Sequence, residues 1–491
     1  MALKGMARRA ASAATTLIGP DLAGIYGRAV RQDATTRNPV VVIPGIMGSK
    51  LAQPGGGALM WGGPERAGGF ADPAIPEQAR AMAHPMGEGA GRLSDFSRNL
   101  EPDGTMAKLR GRAWGLPVAV RAYEQILTLM GVGGYLNPEG NPARAALDYG
   151  PDVIGTCFEF DYDWRRTVPD NAARLGRLID QVTDWLEVET RCNRPVKVDI
   201  VAHSMGGLVL RYFLRYGQQG LPESGKPKLD WSGTEKVEHV LMVGTPNAGS
   251  LTAMERLLVG LPKTPMYPGY SPVLVGSMPA LYQLLTRSRH GRVLDRDGAA
   301  LDLFDPELWI DRGWGLADPA EDATLAKVLP GVDTREARRR VALEHLGRCL
   351  TEAKRVHELL DFAADSPSDL VMQLFAGDGI PTPATARPRA DGRGLEPLSY
   401  DPGDATVTRA SALMDERLGQ DDPSPRLLTP IRYDAVTFLP TDHMALTRHP
   451  TFVDNALYLL LEKPRPSCGY RRSAEDQGLR GSLGGDPAGM G

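Results

Sequence analysis

The feature that most narrows what this chain can fold into is one run, Val198-Asp199-Ile200-Val201-Ala202-His203-Ser204-Met205-Gly206-Gly207-Leu208. A β-branched stretch gives way within a few residues to a helix-like one. A chain that turns so sharply from strand to helix holds its tip residue in a strained backbone conformation and lifts that side chain out of the sheet. Small residues two before and two after the tip let strand and helix approach. Gly206 fills one of these places, and Ala202 fills the other with one methyl group more than glycine. A serine hydroxyl at the tip becomes a nucleophile once a base takes its proton. The start of the helix, with the Met205 N–H, points toward an oxyanion formed there. Ser204 is therefore the candidate nucleophile, against the plainer reading of a serine in a tight turn. Adjacent side chains diverge at such a tip, so His203 reads as packing for the turn rather than as a base.

The pattern around this turn alternates. Strand-like segments are expected at 39–45, 158–164, 196–202, 240–243, 370–376 and 436–439, and helices at 123–130, 172–188, 207–216 and 452–461. Short apolar runs ended by Pro and Gly suit strands buried on both faces of a parallel sheet. The alternation predicts an α/β fold, a mostly parallel sheet with helices on both faces. Residues 1–36 read as an N-terminal arm and 37–250 as the first part of the core, with a Gly-, Ala- and Pro-rich, lid-like excursion at about 54–105. A helical cap insertion is expected over 251–368, the second part of the core over 369–463, and a disordered tail over 464–491. The cap ends in a helix over 334–364 with Val341, Leu346, Leu350, Ala353, Val356 and Leu360 near one face. Arg335, Arg338, Arg339 and Arg340 crowd its start, where cations oppose the helix dipole. They read as a solvated charged turn, with contact to an anionic lipid surface as the alternative.

Ser204 needs a second oxyanion donor and an acid–base pair. Pro44-Gly45-Ile46-Met47-Gly48-Ser49 follows the first strand, where such folds supply that donor, and the Met47 N–H is the candidate. A glycine turn that only reverses the chain is the alternative. The base is expected late in the chain. His443 sits between a strand and a helix, whereas His449 precedes Pro450 as a helix-start residue, so His443 is the better placed. The acid is either Asp378 or Asp404; both lie in glycine-containing turns, and composition does not separate them.

Other function classes are excluded by what is missing. A formal net charge of −4 offers no basic field for nucleic acid. No phosphate-binding glycine loop appears and no His/Cys/Asp cluster has metal-ligand spacing, so neither cofactor nor metal is expected. Four scattered cysteines (Cys157, Cys192, Cys349, Cys468) read as reduced thiols. The N-terminal segment is a poor signal peptide, and no run reaches the ~20 apolar residues of a spanning helix. A soluble cytoplasmic protein is the expectation.

Together these pieces resemble the lecithin:cholesterol acyltransferase family, including its bacterial and phospholipid–diacylglycerol acyltransferase branches. The resemblance rests on Val41-Val42-Ile43-Pro44-Gly45-Ile46-Met47-Gly48-Ser49, Phe160-Asp161-Tyr162-Asp163-Trp164-Arg165, Ala202-His203-Ser204-Met205-Gly206-Gly207 and Gly244-Thr245-Pro246-Asn247-Ala248-Gly249. The segments 277–285, 379–383 and Gly403-Asp404-Ala405-Thr406-Val407 continue it in family order. It implies an α/β-hydrolase core with lid and cap, and acyl transfer or hydrolysis on lipid esters. It also implies Asp404 as the acid, His443 as the base, and Met47 and Met205 as oxyanion donors. The implied partners are a lipid or acyl-ester substrate and a membrane surface met through the lid or cap. Ala202 and Ala405 depart from the family pattern. A thioesterase or other esterase on the same triad, or a lipid-binding scaffold without catalysis, are the rival readings.

Overall fold

A computed structural model of the chain describes residues 37–63, 69–87, 91–106, 109–113, 116–120, 156–190, 195–264, 267–417 and 426–462. The expected arm at 1–36, the helix at 123–130 and the tail at 464–491 lie outside the described residues.

Six strands form the central sheet: β1 (Val40–Ile43), β2 (Cys157–Glu159), β3 (Val198–His203), β4 (Val237–Val243), β5 (Val371–Gly377) and β6 (Ala435–Leu439). They lie in the order β6-β5-β4-β3-β1-β2, and each neighbouring pair is parallel. The β-branched runs seen in the sequence form these strands because both of their faces are covered. Val41, Ile43, Ile200, Ala202, Val240 and Met242 pack into one apolar cluster, and Val40, Val42, Val201, Leu241, Val243 and Phe375 into the other. A fully buried Val or Ile side chain is worth about 1.5–3 kcal/mol over an exposed one, so a charge at any of these positions would be strongly destabilising.

Helices among the described residues include α1 (Pro76–Met82), α2 (Val168–Thr190), α3 (Met205–Tyr216), α4 (Leu251–Val259), α5 (Arg335–Asp361) and α6 (Pro450–Leu457). Helices α2 and α3 cover the first face through Leu175, Ile179, Leu208 and Tyr212. Helix α6 covers the second, where Phe452 meets Phe375 edge-to-face at 5.0 Å. The expected sheet with helices on both faces is present. The chain lays β2 on one side of β1 and β3 on the other. The strand order therefore reverses between β1 and β3, and open sheets of this kind bind ligands outside the carboxyl ends of strands at that crevice. Pro44 follows β1 there, and Ser204 follows β3.

Two features were not foreseen. Residues 380–388 and 395–403 form an antiparallel hairpin between β5 and β6. Pro381, Pro383 and Pro388 argue against a strand at this point, since proline cannot donate to a ladder. The contact made by Arg292–Val293 on the far side falls at Thr385 and Ala386, past Pro381 and Pro383. The second feature is the start of α5. Arg338 pairs with Asp322 at 2.7 Å and donates to the Val332 and Asp333 carbonyls, while Arg335 and Arg339 donate to the carbonyls of Pro319 and Ala317. These arginines are exposed or half-exposed, as a solvated charged turn would be, and three of them also serve carbonyls of the chain before the helix.

The excursion after β1 contains a small antiparallel sheet (49–52, 59–61 and 101–105) and α1. Arg165 ties it to the core. Its guanidinium is buried, grips Asp163 at 2.9 and 2.8 Å, and donates to the Ala81, Met82 and Ala83 carbonyls and to Asn99 Oδ1. A cation at the C-terminus of α1 is also favoured by the helix dipole. Farther along, the Leu93 N–H donates to Glu352 Oε1 of α5 at 2.8 Å. Burial pushes the Glu352 carboxyl up to about 7, with the Leu93 N–H opposing the shift.

Arg165→Met should cost about 3–5 kcal/mol in urea unfolding, because it leaves Asp163 buried without its partner. Adding Asp163→Leu should recover part of the loss. Glu352 predicts a pH effect with a definite sign. Its folded-state pKa is above the unfolded one, so the native state holds the extra proton. Stability should then fall as pH rises from about 4.5 to about 7, by up to ~3 kcal/mol. Glu352→Gln should flatten this part of the stability–pH curve.

Candidate active site

The turn after β3 is as strained as its sequence implies. Ser204 has φ 54° and ψ −128°. Its N–H donates to the Val243 carbonyl of β4 at 2.8 Å, and the Gly207 N–H donates back to the Ser204 carbonyl at 3.0 Å. A Cβ on Gly206 would come within 2.5 Å of the Pro44 carbonyl oxygen, and one on Gly207 within 2.0 Å of Thr245 Oγ1. Glycine is required at both places because the end of β1 closes on the helix start at Gly206 and the turn after β4 closes on it at Gly207. Ala202 is fully buried in the sheet, so its methyl group is accommodated.

The hairpin returns the chain to Asp404, which is almost entirely buried. Its Oδ1 accepts from the N–H groups of Thr406 and Val407 at 3.0 and 2.7 Å. That leaves Oδ2 for another donor. Gly377, at the end of β5, makes room: a Cβ there would stand 2.4 Å from that of Asp404. Ala405 follows at φ 72°, with its N–H on Thr382 Oγ1 at 2.9 Å.

His443 lies in the loop after β6. Its Nδ1 is 2.8 Å from Asp404 Oδ2 and its Nε2 is 2.9 Å from Ser204 Oγ. Its main-chain N–H donates to the Asp404 carbonyl at 3.0 Å. The structure thus brings Ser204, His443 and Asp404 into one hydrogen-bonded line. A carboxylate oxygen can only accept, so Nδ1 carries the proton and Nε2 is free to accept from the serine hydroxyl. The other candidates stand apart. Asp378 faces Arg409 at 3.7 Å, and His449 caps α6 by accepting from the Thr451 N–H.

Met47 occupies the turn after β1 at φ 62°, and Trp61 Nε1 donates to its carbonyl at 3.1 Å. Among the described residues neither the Met47 nor the Met205 N–H has a protein acceptor. Both lie at the carboxyl ends of the strands that flank the crevice, Met205 directly after Ser204. Met47, Ser204 and Ala405 are three of the five non-glycine residues with positive φ among those described. Such strain collects where the surrounding structure overrides local preference.

His203 is buried beside this line, its ring 4.9 Å from that of His443. Sequence reasoning gave it only a packing role, since its partner is 240 residues away. At the opposite, amino end of the strands, Asp199, Glu238 and His239 bring possible ligand atoms within 4.8 Å of one another, a cluster that sequence spacing did not reveal. Asn38 Nδ2 donates to both carboxylates there, at 3.0 and 2.7 Å. Of the cysteines, Cys157 and Cys349 are buried free thiols. Among the described residues no helix is long and apolar enough to cross a membrane.

Comparison with known proteins agrees with this architecture. The lecithin:cholesterol acyltransferase family model matches residues 150–269, which include the Ser204 turn. No curated protein sequence matches the chain. The crystal structure of the Tle4-Tli4 complex aligns over 88% of this chain and 100% of that one, at 17% identity and a TM-score of 0.51. Lipase 1 from Pelosinus fermentans aligns over 88% and 100% at 12% identity with a TM-score of 0.33. The mature Bacillus licheniformis lipase BlEst2 aligns over 88% and 95% at 12% identity with a TM-score of 0.30. The last two superpose too loosely to add weight. The chain has an α/β-hydrolase fold and is similar to the lecithin:cholesterol acyltransferase family over the matched segment.

Gly377→Ala tests how the acid is seated. Its methyl group should push Asp404 aside and lower unfolding stability by about 1–3 kcal/mol. Gly220→Ala, where an added Cβ meets nothing within 4 Å, should leave the denaturation midpoint unchanged.

Proposed function

We propose that this protein is a serine-dependent lipid esterase or O-acyltransferase working through an acyl-enzyme. The observation that carries this reading is the line Ser204 Oγ–His443 Nε2–Asp404 Oδ2, with links of 2.9 and 2.8 Å, at the crevice where the strand order reverses. His443 takes the hydroxyl proton as Ser204 Oγ attacks the ester carbonyl carbon. The Met47 and Met205 N–H groups receive the oxyanion. Asp404 keeps His443 in the needed tautomer and stabilises its cation. The intermediate collapses, the C–O bond to the alcohol breaks, and His443 returns its proton to that alcohol. Water or a second alcohol then gives up a proton to His443 and attacks the acyl-serine; the acyl–Oγ bond breaks, His443 returns its proton to Ser204 Oγ, and an acid or a new ester leaves.

The lipid-like substrate class is supported by similarity to the acyltransferase family at residues 150–269. The excursion around α1 and the helices over 251–361 are the candidate lid and cap over an acyl chain. How well they keep water out decides between hydrolysis and transfer.

A fluorophosphonate probe should label Ser204 in the folded protein, and Ser204→Ala should abolish labelling. Asp404→Asn should lower ester turnover by about 10⁴-fold while the melting temperature stays close to wild type. Folded wild-type protein that the probe leaves untouched would instead indicate a lipid-binding scaffold. Mixed phospholipids with an acceptor alcohol, analysed by mass spectrometry, resolve the reaction type: fatty acid alone means hydrolase, and a new ester means transferase.

A further inference from the structure

We infer that His203 is a positioning residue: through its ring N–H it anchors the main chain of the loop that carries His443, and so keeps that imidazole in line between Asp404 and Ser204. This rests on the reading of His443 as the general base.

His203 Nε2 lies 3.1 Å from the His443 carbonyl oxygen. A carbonyl can only accept, so Nε2 must carry a hydrogen and donate it. The anchor comes from a rigid element. His203 is the last residue of β3, and its backbone is in register with Val243 of β4. The residue is only 1% exposed, and the two imidazole rings lie 4.9 Å apart at 44°. His443 is therefore held by three contacts besides its own ring hydrogen bonds. Its N–H donates to the Asp404 carbonyl at 3.0 Å, its carbonyl accepts from His203, and its ring borders Gly244. A Cβ on Gly244 would come within 3.2 Å of both Cε1 and Nδ1. These contacts oppose a drift of ~1 Å, a displacement that can cost about 10²-fold in rate.

Charge explains why an imidazole suits this place. In the proposed reaction His443 becomes a cation, and a second cation 4.9 Å away would oppose it. Burial, with the charge of His443 next, holds His203 down to about 3, against a smaller opposing pull from Asp404. His203 thus stays neutral and keeps its anchoring hydrogen while His443 takes up and returns a proton in the proposed reaction. A lysine could donate but would bring the unwanted charge.

Two substitutions in the full-length chain separate anchoring from simple packing. His203→Phe keeps a ring and loses the donor; His203→Gln keeps an N–H donor and loses the ring. The readouts are kcat and KM on a short-chain p-nitrophenyl ester, the rate of fluorophosphonate labelling, and the melting temperature. Anchoring predicts that His203→Phe loses about 10- to 100-fold in kcat and labelling rate at nearly unchanged KM, while His203→Gln retains most of both. A fully active Phe variant, or Phe and Gln variants impaired alike, overturns the proposal. A measurement on unaltered protein stands independently of variant folding. The His203 Nε2 proton should appear in ¹⁵N-resolved NMR as a slowly exchanging signal from pH 5 to 8, and exchange at the rate of a free imidazole overturns the anchor. Absence of Ser204 labelling in the wild type would sink the catalytic reading instead, so the two failures are distinguishable.

Discussion

The hydrogen bond from the Ser204 N–H to the Val243 carbonyl is the constraint on which the site depends. It pins a residue with φ 54° to the end of a neighbouring strand. A backbone held in that region costs on the order of 1–3 kcal/mol and persists only when its surroundings over-determine it. Here they do so from three sides. The Pro44 carbonyl stands where a side chain on Gly206 would go, Thr245 stands where one on Gly207 would go, and the β1–β3–β4 sheet beneath is buried on both faces. Removing the strain would mean moving a strand, which would expose several fully buried Val and Ile side chains. The sheet therefore supplies the rigidity that lets one hydroxyl stand clear of it.

Much of this was legible in the residues, and the reasons are local. A strand buried on both faces is a short, mostly apolar run, β-branched in β1 and β3 and rich in Met, Leu, Phe and Ala in β5, so these three announce themselves. The Ser204 turn is legible because three physical demands, a strand, a tip and small flanking residues, fall within a dozen positions. The acid was not legible in this way. Asp378 and Asp404 both sit in glycine turns, and choosing between them requires knowing that the chain leaves β5, runs out and back along a hairpin, and returns beside its starting point. Three prolines in the outgoing strand hide that hairpin. Only the family-like motif Gly403-Asp404-Ala405-Thr406-Val407 pointed to Asp404. The geometry supplies a physical reason for the motif: the N–H groups two and three residues on occupy Oδ1, leaving Oδ2 to face the imidazole.

Charged side chains away from the site were the least legible, because their partners are distant in sequence. Arg165 reads as one more arginine until it is seen closing the end of α1, more than eighty residues before it. The arginines that open α5 likewise look like an excess of cations until the carbonyls they serve are located. His203, neutral and beside the site, was hidden for the same reason: its neighbour in the chain is the serine, but its hydrogen-bond partner is 240 residues away. Periodicity and turn chemistry describe what a residue does for its own segment. They carry no information on what it does for another.

The hairpin between β5 and β6 also separates two tasks that one stretch of chain must perform. Its base is closely packed, since Gly377 and Gly403 are both crowded by neighbouring atoms, whereas residues 389–393 at its far end are exposed. Length or composition can change at the tip without altering where the carboxylate sits. This makes the tip a permissive site for grafting, through which the protein can acquire new surface properties while its chemistry is left as it is.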